Sequence, residues 1–434
     1  MTFSVGISLP AGATDLLEIY REAQNKDPTF EVARYAYVSA QEKVPQARAG
    51  FLPVLNLNGN ESNNDALTRF SNSPKVYREV NTWALTLQLT QPLFRMQSFY
   101  AFTEAESLAE QAHAQLNLAG QDLILRSARA YFDILIVQES IDVADKQLKA
   151  AEEQHALAKR GFNAGAHAIT DVHEAKSRSD LARSQRIAAL NDLEVKHAEL
   201  EKLIGREITV FAGLKPAITI PRPQPENVRA WIERARDNNP AVLAPKAALV
   251  AAEAAVRKGR AEYAPTLDLV ASHGRNYSSG NTISPTNYGS DTHSTQIGVQ
   301  FTIPLYSGGG TRSRVTEAIA NVGKASAELE VARRQAGADA RQAYAAVVNG
   351  LAQIEALESA VESGASSVKG NQVGYKLGIH MNIDVLNAEQ QLYTSQRDLV
   401  KARYDTLFQG LKLKAASGIL VEEDVYAVNQ LLAN

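Results

Sequence analysis

The sequence predicts a mainly α-helical protein with a minor β component, written twice along one chain. Three observations predict it. Pro28, Pro53 and Pro92 return at a spacing of 212 as Pro240, Pro265 and Pro304; after one inserted residue, Gly161, Gly165 and Gly205 return at 213 as Gly374, Gly378 and Gly418. Short segments alternate apolar and polar residues with the period of a strand. Long segments repeat small and apolar residues every 3.5 positions, the period of supercoiled helices.

Composition narrows the classes. The 434 residues suit two or three domains, and 45% apolar content suffices for packing. A net charge of −3 lacks the basic footprint of a nucleic-acid binder, so no nucleic-acid partner is expected. Cys is absent, which removes disulfides, a thiol nucleophile and thiol-linked lipid. No apolar run is long enough for a transmembrane helix, which leaves a β-barrel open. Residues 1–13 end in Ala11-Gly12-Ala13, the small-x-small form of a signal-peptidase site, and both a truncated signal remnant and a disordered start fit them.

Repeat 1 covers residues 14–214. It opens with short helical patterns at 15-DLLEIYREAQNKD-27 and at about 30–48, with Pro28 between them. A strand hairpin follows over about 54–92. In 82-TWALTLQLT-90, Trp83, Leu85, Leu87 and Leu89 alternate with Thr and Gln, and Leu55 and Leu57 supply a weaker partner across the polar loop 59–75. A long helical hairpin occupies about 97–205. Its first arm is roughly 95 Å long at 1.5 Å per residue, and Ile134, Val137, Ile141, Ala144, Leu148 and Ala151 step along it by threes and fours. The turn 161-GFNAG-165 ends that arm, with glycine free to take the left-handed cap conformation. Asp171 then sits at the start of the returning helix, where its charge suits the dipole.

The Pro-rich segment 215–227 links the halves. Repeat 2, residues 228–434, carries helical patterns at 228–238 and 242–263, a strand hairpin at about 266–304 and a helical hairpin at about 311–418, then a C-terminal segment. In 296-QIGVQFTIP-304, Ile297, Val299, Phe301 and Ile303 alternate with polar residues and Gly, opposite Leu267 and Leu269 across the loop 273–291. The second tip, 374-GYKLGIHMNIDVLNA-388, restates the first.

Four strands cannot close a membrane barrel, and open edges do not persist in hydrocarbon. A cyclic trimer resolves this with a twelve-stranded transmembrane barrel. Trp83, Leu85, Leu87, Leu89, Ile297, Val299, Phe301 and Ile303 then face lipid, and the long hairpins form a coaxial α-helical coiled-coil barrel. Such an assembly is a duct.

Two rivals compete. For an enzyme, 307-SGGGTRS-313 faintly suggests a phosphate loop, but it lacks the Walker lysine. The eight histidines show no paired metal spacing, and His167 and His173 flank a turn. No catalytic constellation, metal site or cofactor site is therefore expected. The other rival, a periplasmic coiled-coil adaptor or scaffold, shares the helical hairpins but not the alternating strands.

Taken together, 87-LQLTQPLF-94, 299-VQFTIPLYSGG-309, Ala130-Tyr131-Phe132, 161-GFNAG-165, 168-AITDV-172, 265-PTLDL-269 and 384-DVLNAE-389 resemble the TolC-type outer-membrane efflux and secretion channels, from about residue 14 to 432. The resemblance implies a homotrimer in the outer membrane of a Gram-negative bacterium, with its helices in the periplasm. It implies export of small toxic molecules or, by type I secretion, of proteins. The partners implied are a periplasmic adaptor and an inner-membrane ABC, RND or MFS transporter. It further implies an entrance lock of Asp171 and Thr170 with Tyr375 and position 380, often Arg in the family and His380 here. Acidification, which charges a histidine but not an arginine, is then expected to strengthen an Asp171–His380 pairing. Of the two acidic constriction positions Asp384 matches, and Asn387 stands at the second, so weak cation selectivity is expected. Gly161, Gly165, Gly374 and Gly378 match the tips where adaptor hairpins dock. Without the resemblance, a tip Asp is a helix cap and a tip Gly a turn former.

Overall fold

The computed structural model describes residues 13–71, 73–165, 168–215 and 218–432; the segment read as a signal remnant, apart from Ala13, and His167 lie outside these. Two compact units emerge, one from residues 1–35, 114–243 and 330–434, the other from 36–113 and 244–329. Each draws on both halves of the sequence, so compactness cuts across the repeat.

Both halves present the same order of elements: two short helical stretches, two strands, a long helix and a returning helix. The starts of the halves are capped alike. Asp15 accepts the Glu18 N–H at 2.8 Å at the head of α1 (Leu16–Lys26), and Asn227 accepts the Arg229 N–H at 3.0 Å at the head of α6 (Val228–Asn238). The next helices are α2 (Pro28–Gln41) and α7 (Pro240–Ala261), whose first prolines follow Asp27 and Asn239; those side chains accept backbone N–H groups of the new helix. In the first half the pattern read as one helix over about 30–48 breaks into α2, α3 (Lys43–Arg48) and a 3₁₀ turn.

The first unit buries the largest core. On α1, Leu16, Ile19, Tyr20 and Ala23 form one stripe against Leu123, Ala128, Tyr131, Phe132 and Ile134 of α4 (Met96–Asn163). Tyr131 is fully buried, and its hydroxyl donates to the Ala212 carbonyl at 2.6 Å. Burial pushes its phenol well above the ordinary range. Ile218 and Ile220 of the interrepeat link pack on this core, and Lys215 N–H bonds the Leu431 carbonyl at 3.1 Å. The returning helix α5 (Ile169–Ile204) ends at Gly205, and α9 (Asn382–Ala416) ends near Gly418, both at positive φ. A Cβ at Gly418 would also lie 2.4 Å from the Asn238 carbonyl oxygen, so that position needs glycine for space as well.

The second unit holds one antiparallel sheet in the order β1-β2-β3-β4: β1 (Val54–Arg69), β2 (Lys75–Arg95), β3 (Thr266–Ser278) and β4 (Ser290–Thr302). The strands outrun the alternating segments. Much of the polar stretch read as the loop 59–75 is paired ladder, as are both ends of 273–291. A ribbon polar on both faces shows no contrast of period two, yet cross-strand side chains sustain it: Ser62 with Thr82 at 2.8 Å, Asn63 with Glu79 at 2.9 Å. Among the described residues β1 and β4 each leave one edge unpaired.

Candidate functional site

The ladder register sorts the sheet into two chemically opposite faces. Leu55 and Leu57 lie opposite Leu89 and Leu87; Leu89 lies opposite Ala271, itself opposite Ile297; Leu269 lies opposite Val299 and Leu267 opposite Phe301. With Trp83 and Leu85, these positions share one largely apolar face, broken by His273 opposite Leu87 and Arg275 opposite Leu85, and Ile303 follows β4 by one residue. Its side chains are half-buried to exposed, Ile297 at 73%. The band has an aromatic border: Trp83 stacks on Tyr277 at 6.1 Å, with Arg275 over the indole and bonded to Asp291. The other face presents Asn56, Asn58, Gln88, Thr86, Ser272, Gln296 and Gln300. Trp83 to Pro92, up to the register shift of the ladder, matches the roughly 9–11 residues with which a tilted strand crosses a bilayer.

In the other unit the two helical hairpins end in turns of the same build. Gly165 (φ 75°) follows α4, and Gly378 (φ 73°) follows α8 (Gly310–Lys376). Their N–H groups bond the Phe162 and Tyr375 carbonyls at 2.9 and 3.0 Å. A Cβ at either would meet nothing within 4 Å, so backbone conformation alone calls for glycine. Gly161 and Gly374 lie in the last turns of α4 and α8. Gly374 has a further reason, since a Cβ there would lie 2.1 Å from the His380 ring.

The expected entrance residues gather at these turns in pairs. Asp171 lies in the first turn of α5 beside exposed Thr170. Burial first, and the Asp171 carboxylate second, push the Tyr375 phenol above its ordinary value. Asp384 accepts the Met381 N–H at 3.0 Å, capping α9, and its other neighbour is His380, Nδ1 to Oδ2 at 3.7 Å. Within one chain the histidine therefore sits on Asp384. Asn387, one turn along α9, accepts from Arg178 of α5 at 2.9 Å, which ties the two hairpins together. Ala158, Ala175 and Leu386 bury a small apolar contact beside them.

Three features were not read from the sequence. Arg178 sets a permanent cation beside the acidic position. Glu389 is 7% exposed and bonded by Gln372 at 3.1 Å; burial pushes its carboxyl up against that bond. Leu377, Ile379 and Met381 stand exposed around the second turn. The Arg178–Asn387 contact spans 209 positions and leaves no periodic trace. The apolar run 377–381 was visible, but as part of a turn it carried no helical or strand pattern.

Among the described residues no cluster of His, Asp or Glu could hold a metal, and no helix is long and apolar enough to cross a membrane. The outer membrane efflux protein family matches residues 19–206 and again 231–419. The outer membrane protein TolC of Vibrio cholerae is 31% identical over 98% of this chain and 95% of its own length. The alkaline protease secretion protein AprF of Pseudomonas aeruginosa is 30% identical over 96% and 87%. In fold, the chain is similar to the outer membrane protein VceC of Vibrio cholerae (TM-score 0.78, 20% identity, 93% of this chain and 96% of that one). It is likewise similar to the Campylobacter jejuni CmeC outer membrane channel (TM-score 0.79, 15% identity, 99% and 95%).

Proposed function

The chain belongs to the outer membrane efflux protein family, and from that premise we propose that three copies form a passive exit duct, opened at its helical tips by a transporter and an adaptor. The protein is an outer-membrane exit channel of a Gram-negative bacterium for efflux or secretion. The observation that carries the trimer is the sheet. One face is largely apolar, the other is polar, and among the described residues two edges are unpaired. A cyclic assembly pairs each β1 with a neighbour's β4, turns the apolar face to lipid and encloses the polar face around water. Twelve strands leave an aqueous lumen where eight would fill with side chains.

The tips supply the periplasmic entrance. Asp171 and Tyr375 hold the hairpins together, Asp384 lines the narrowest aperture, and the Arg178–Asn387 bond keeps that aperture only weakly negative. The adaptor docks on the turns at Gly161, Gly165, Gly374 and Gly378. Exposed Leu377, Ile379 and Met381 support this by offering apolar contact area beside one turn. The inner-membrane partner is an ABC, RND or MFS transporter. Similarity to a protease secretion protein favours type I protein secretion as one use, and similarity to TolC admits efflux as another.

Native mass spectrometry in detergent, with planar-bilayer recording of the same preparation, tests this reading. The expected result is a homotrimer with discrete single-channel currents. A stable monomer that gives no current defeats it.

A further inference from the structure

The connection from β3 to β4, residues 279–289, is fastened across one face of the sheet by Arg78. On β2, positions 76, 78, 80 and 82 lie opposite Thr68, Ala66, Asn64 and Ser62, which places Arg78 on the polar face. Its guanidinium donates to the carbonyls of Asn281 at 2.7 Å, Ser284 at 2.6 Å and Pro285 at 2.6 Å, and lies 5.3 Å from the Phe70 ring centroid. No carboxylate pairs with it among the described residues.

Burial confirms the covering. Arg78 is 6% exposed and Val80 is 4%, while Tyr77 and Glu79 between and beside them, on the apolar side, are open. The connection is also braced internally. Asn281 bonds Asn287 at 3.0 Å and Thr286 at 2.9 Å, and accepts from Ser284 N–H at 2.7 Å. Ser279 and Asn81 exchange two bonds of 2.9 Å. On this pinned segment Ile283 is 89% exposed.

We propose that the β3–β4 connection folds into the lumen as a second constriction, at the mouth of the barrel remote from the helices, with Ile283 as its narrowing residue and Arg78 as its anchor. The inference rests on the duct reading, which turns the polar face inward and sets three Ile283 side chains around one axis. An apolar ring narrows a pore by dewetting without selecting charge. The outer mouth is thus a hydrophobic sieve and the entrance an electrostatic one. Arg78 is the positioning residue: without it three carbonyls lose their donor and the connection swings out of the path.

The chain has no cysteine, so Ile283→Cys introduces a single thiol per protomer. The test uses Asp171→Ala as background, to lower the resistance of the entrance, and adds a membrane-impermeant methanethiosulfonate to the outer-mouth side of a planar bilayer. Expected are up to three downward current steps, amounting to about twofold or more for a bulky reagent. Cationic and anionic reagents should move the reversal potential in opposite senses. With Arg78→Ala added, the thiol should still be modified while the steps shrink; Arg78→Lys, which keeps the charge but not the fork, should fall between. Complete modification by intact mass, with current and reversal potential unmoved, overturns the inference and leaves the duct standing. Absence of any channel in the unmodified protein instead defeats the duct reading.

Discussion

The two hairpin tips share a turn, a left-handed glycine and an Asp-Val start, yet their side chains have been put to different uses. Asp171 faces across to a tyrosine of the other hairpin, whereas Asp384 is held locally by the Met381 N–H and His380. Thirteen residues past each turn-forming Gly161 and Gly374 the repeat places Glu174 and Asn387, and four further on Arg178 and Gln391. Arg178 of the first hairpin bonds Asn387 of the second. The repeat has diverged where its copies meet. Backbone geometry is shared because one turn closes both hairpins; charge differs where Arg178 of the first meets Asn387 of the second.

The sharpest way to break this comparison is to remove each aspartate in turn. Asp384→Ala should bring the reversal potential in a KCl gradient nearly to zero, since an Asp ring favours cations. Asp171→Ala should raise single-channel conductance about twofold and leave the reversal potential in place, because it releases a contact between hairpins. If the two variants behave alike, the tips are not specialised.

A smaller effect is expected at the bond between the hairpins. Arg178→Ala should increase cation preference by removing the positive charge bonded to Asn387, one turn along from Asp384. Asn387→Asp alone should add little, because the new carboxylate pairs with Arg178. The double variant should exceed the sum of the singles, as expected for groups in contact; additive reversal potentials would show that Arg178 lies outside the conduction path.

The glycines test what the tips have in common. Gly165→Ala and Gly378→Ala should each cost about 1 kcal/mol of stability, similar to one another, since both meet open space and only the positive φ is strained. Gly374→Ala should in addition displace the His380 ring. Thermal unfolding in detergent measures all three, and a large inequality between Gly165→Ala and Gly378→Ala would mean that the turns are not equivalent.

The smallest effect concerns Glu389, whose repeat counterpart is the exposed Lys176. The fold raises the Glu389 carboxyl by burial, so the native state holds its proton more tightly than the unfolded chain. Its contribution to stability is therefore fully present below the ordinary carboxylate range and is lost as pH rises through the raised value. Glu389→Gln should match the wild type near about pH 4 and unfold at a slightly higher temperature near about pH 8. A variant less stable than wild type at the higher pH would show that the charge is used.

How much of this was legible depends on period and distance. Trp83 through Leu89 and Ile297 through Phe301 announced their face because alternation survives in the sequence and the register only had to align it. The ribbon of Asn60 to Arg69 with Lys75 to Asn81 did not, because polar residues occupy both its faces and the cover over Arg78 and Val80 comes from a segment about 200 positions away. Gly165 and Gly378 were legible as caps because a left-handed turn admits few residues. Asn382, buried with neither amide atom hydrogen-bonded among the described residues, carried no signal in the sequence. Glu389 gave no sign of its burial, because that burial comes from residues distant in sequence.

The unpaired edges of β1 and β4 have a genetic consequence. In the trimer proposed above, a chain whose sheet closes only through its neighbours would share their defects. If a defective allele is expressed equally with a sound one and the chains mix at random, only about one trimer in eight contains three sound chains. Lesions that spoil pairing at one edge while sparing the other should therefore be dominant, whereas lesions that prevent the chain from folding at all should be recessive, because an unfolded chain never enters the ring.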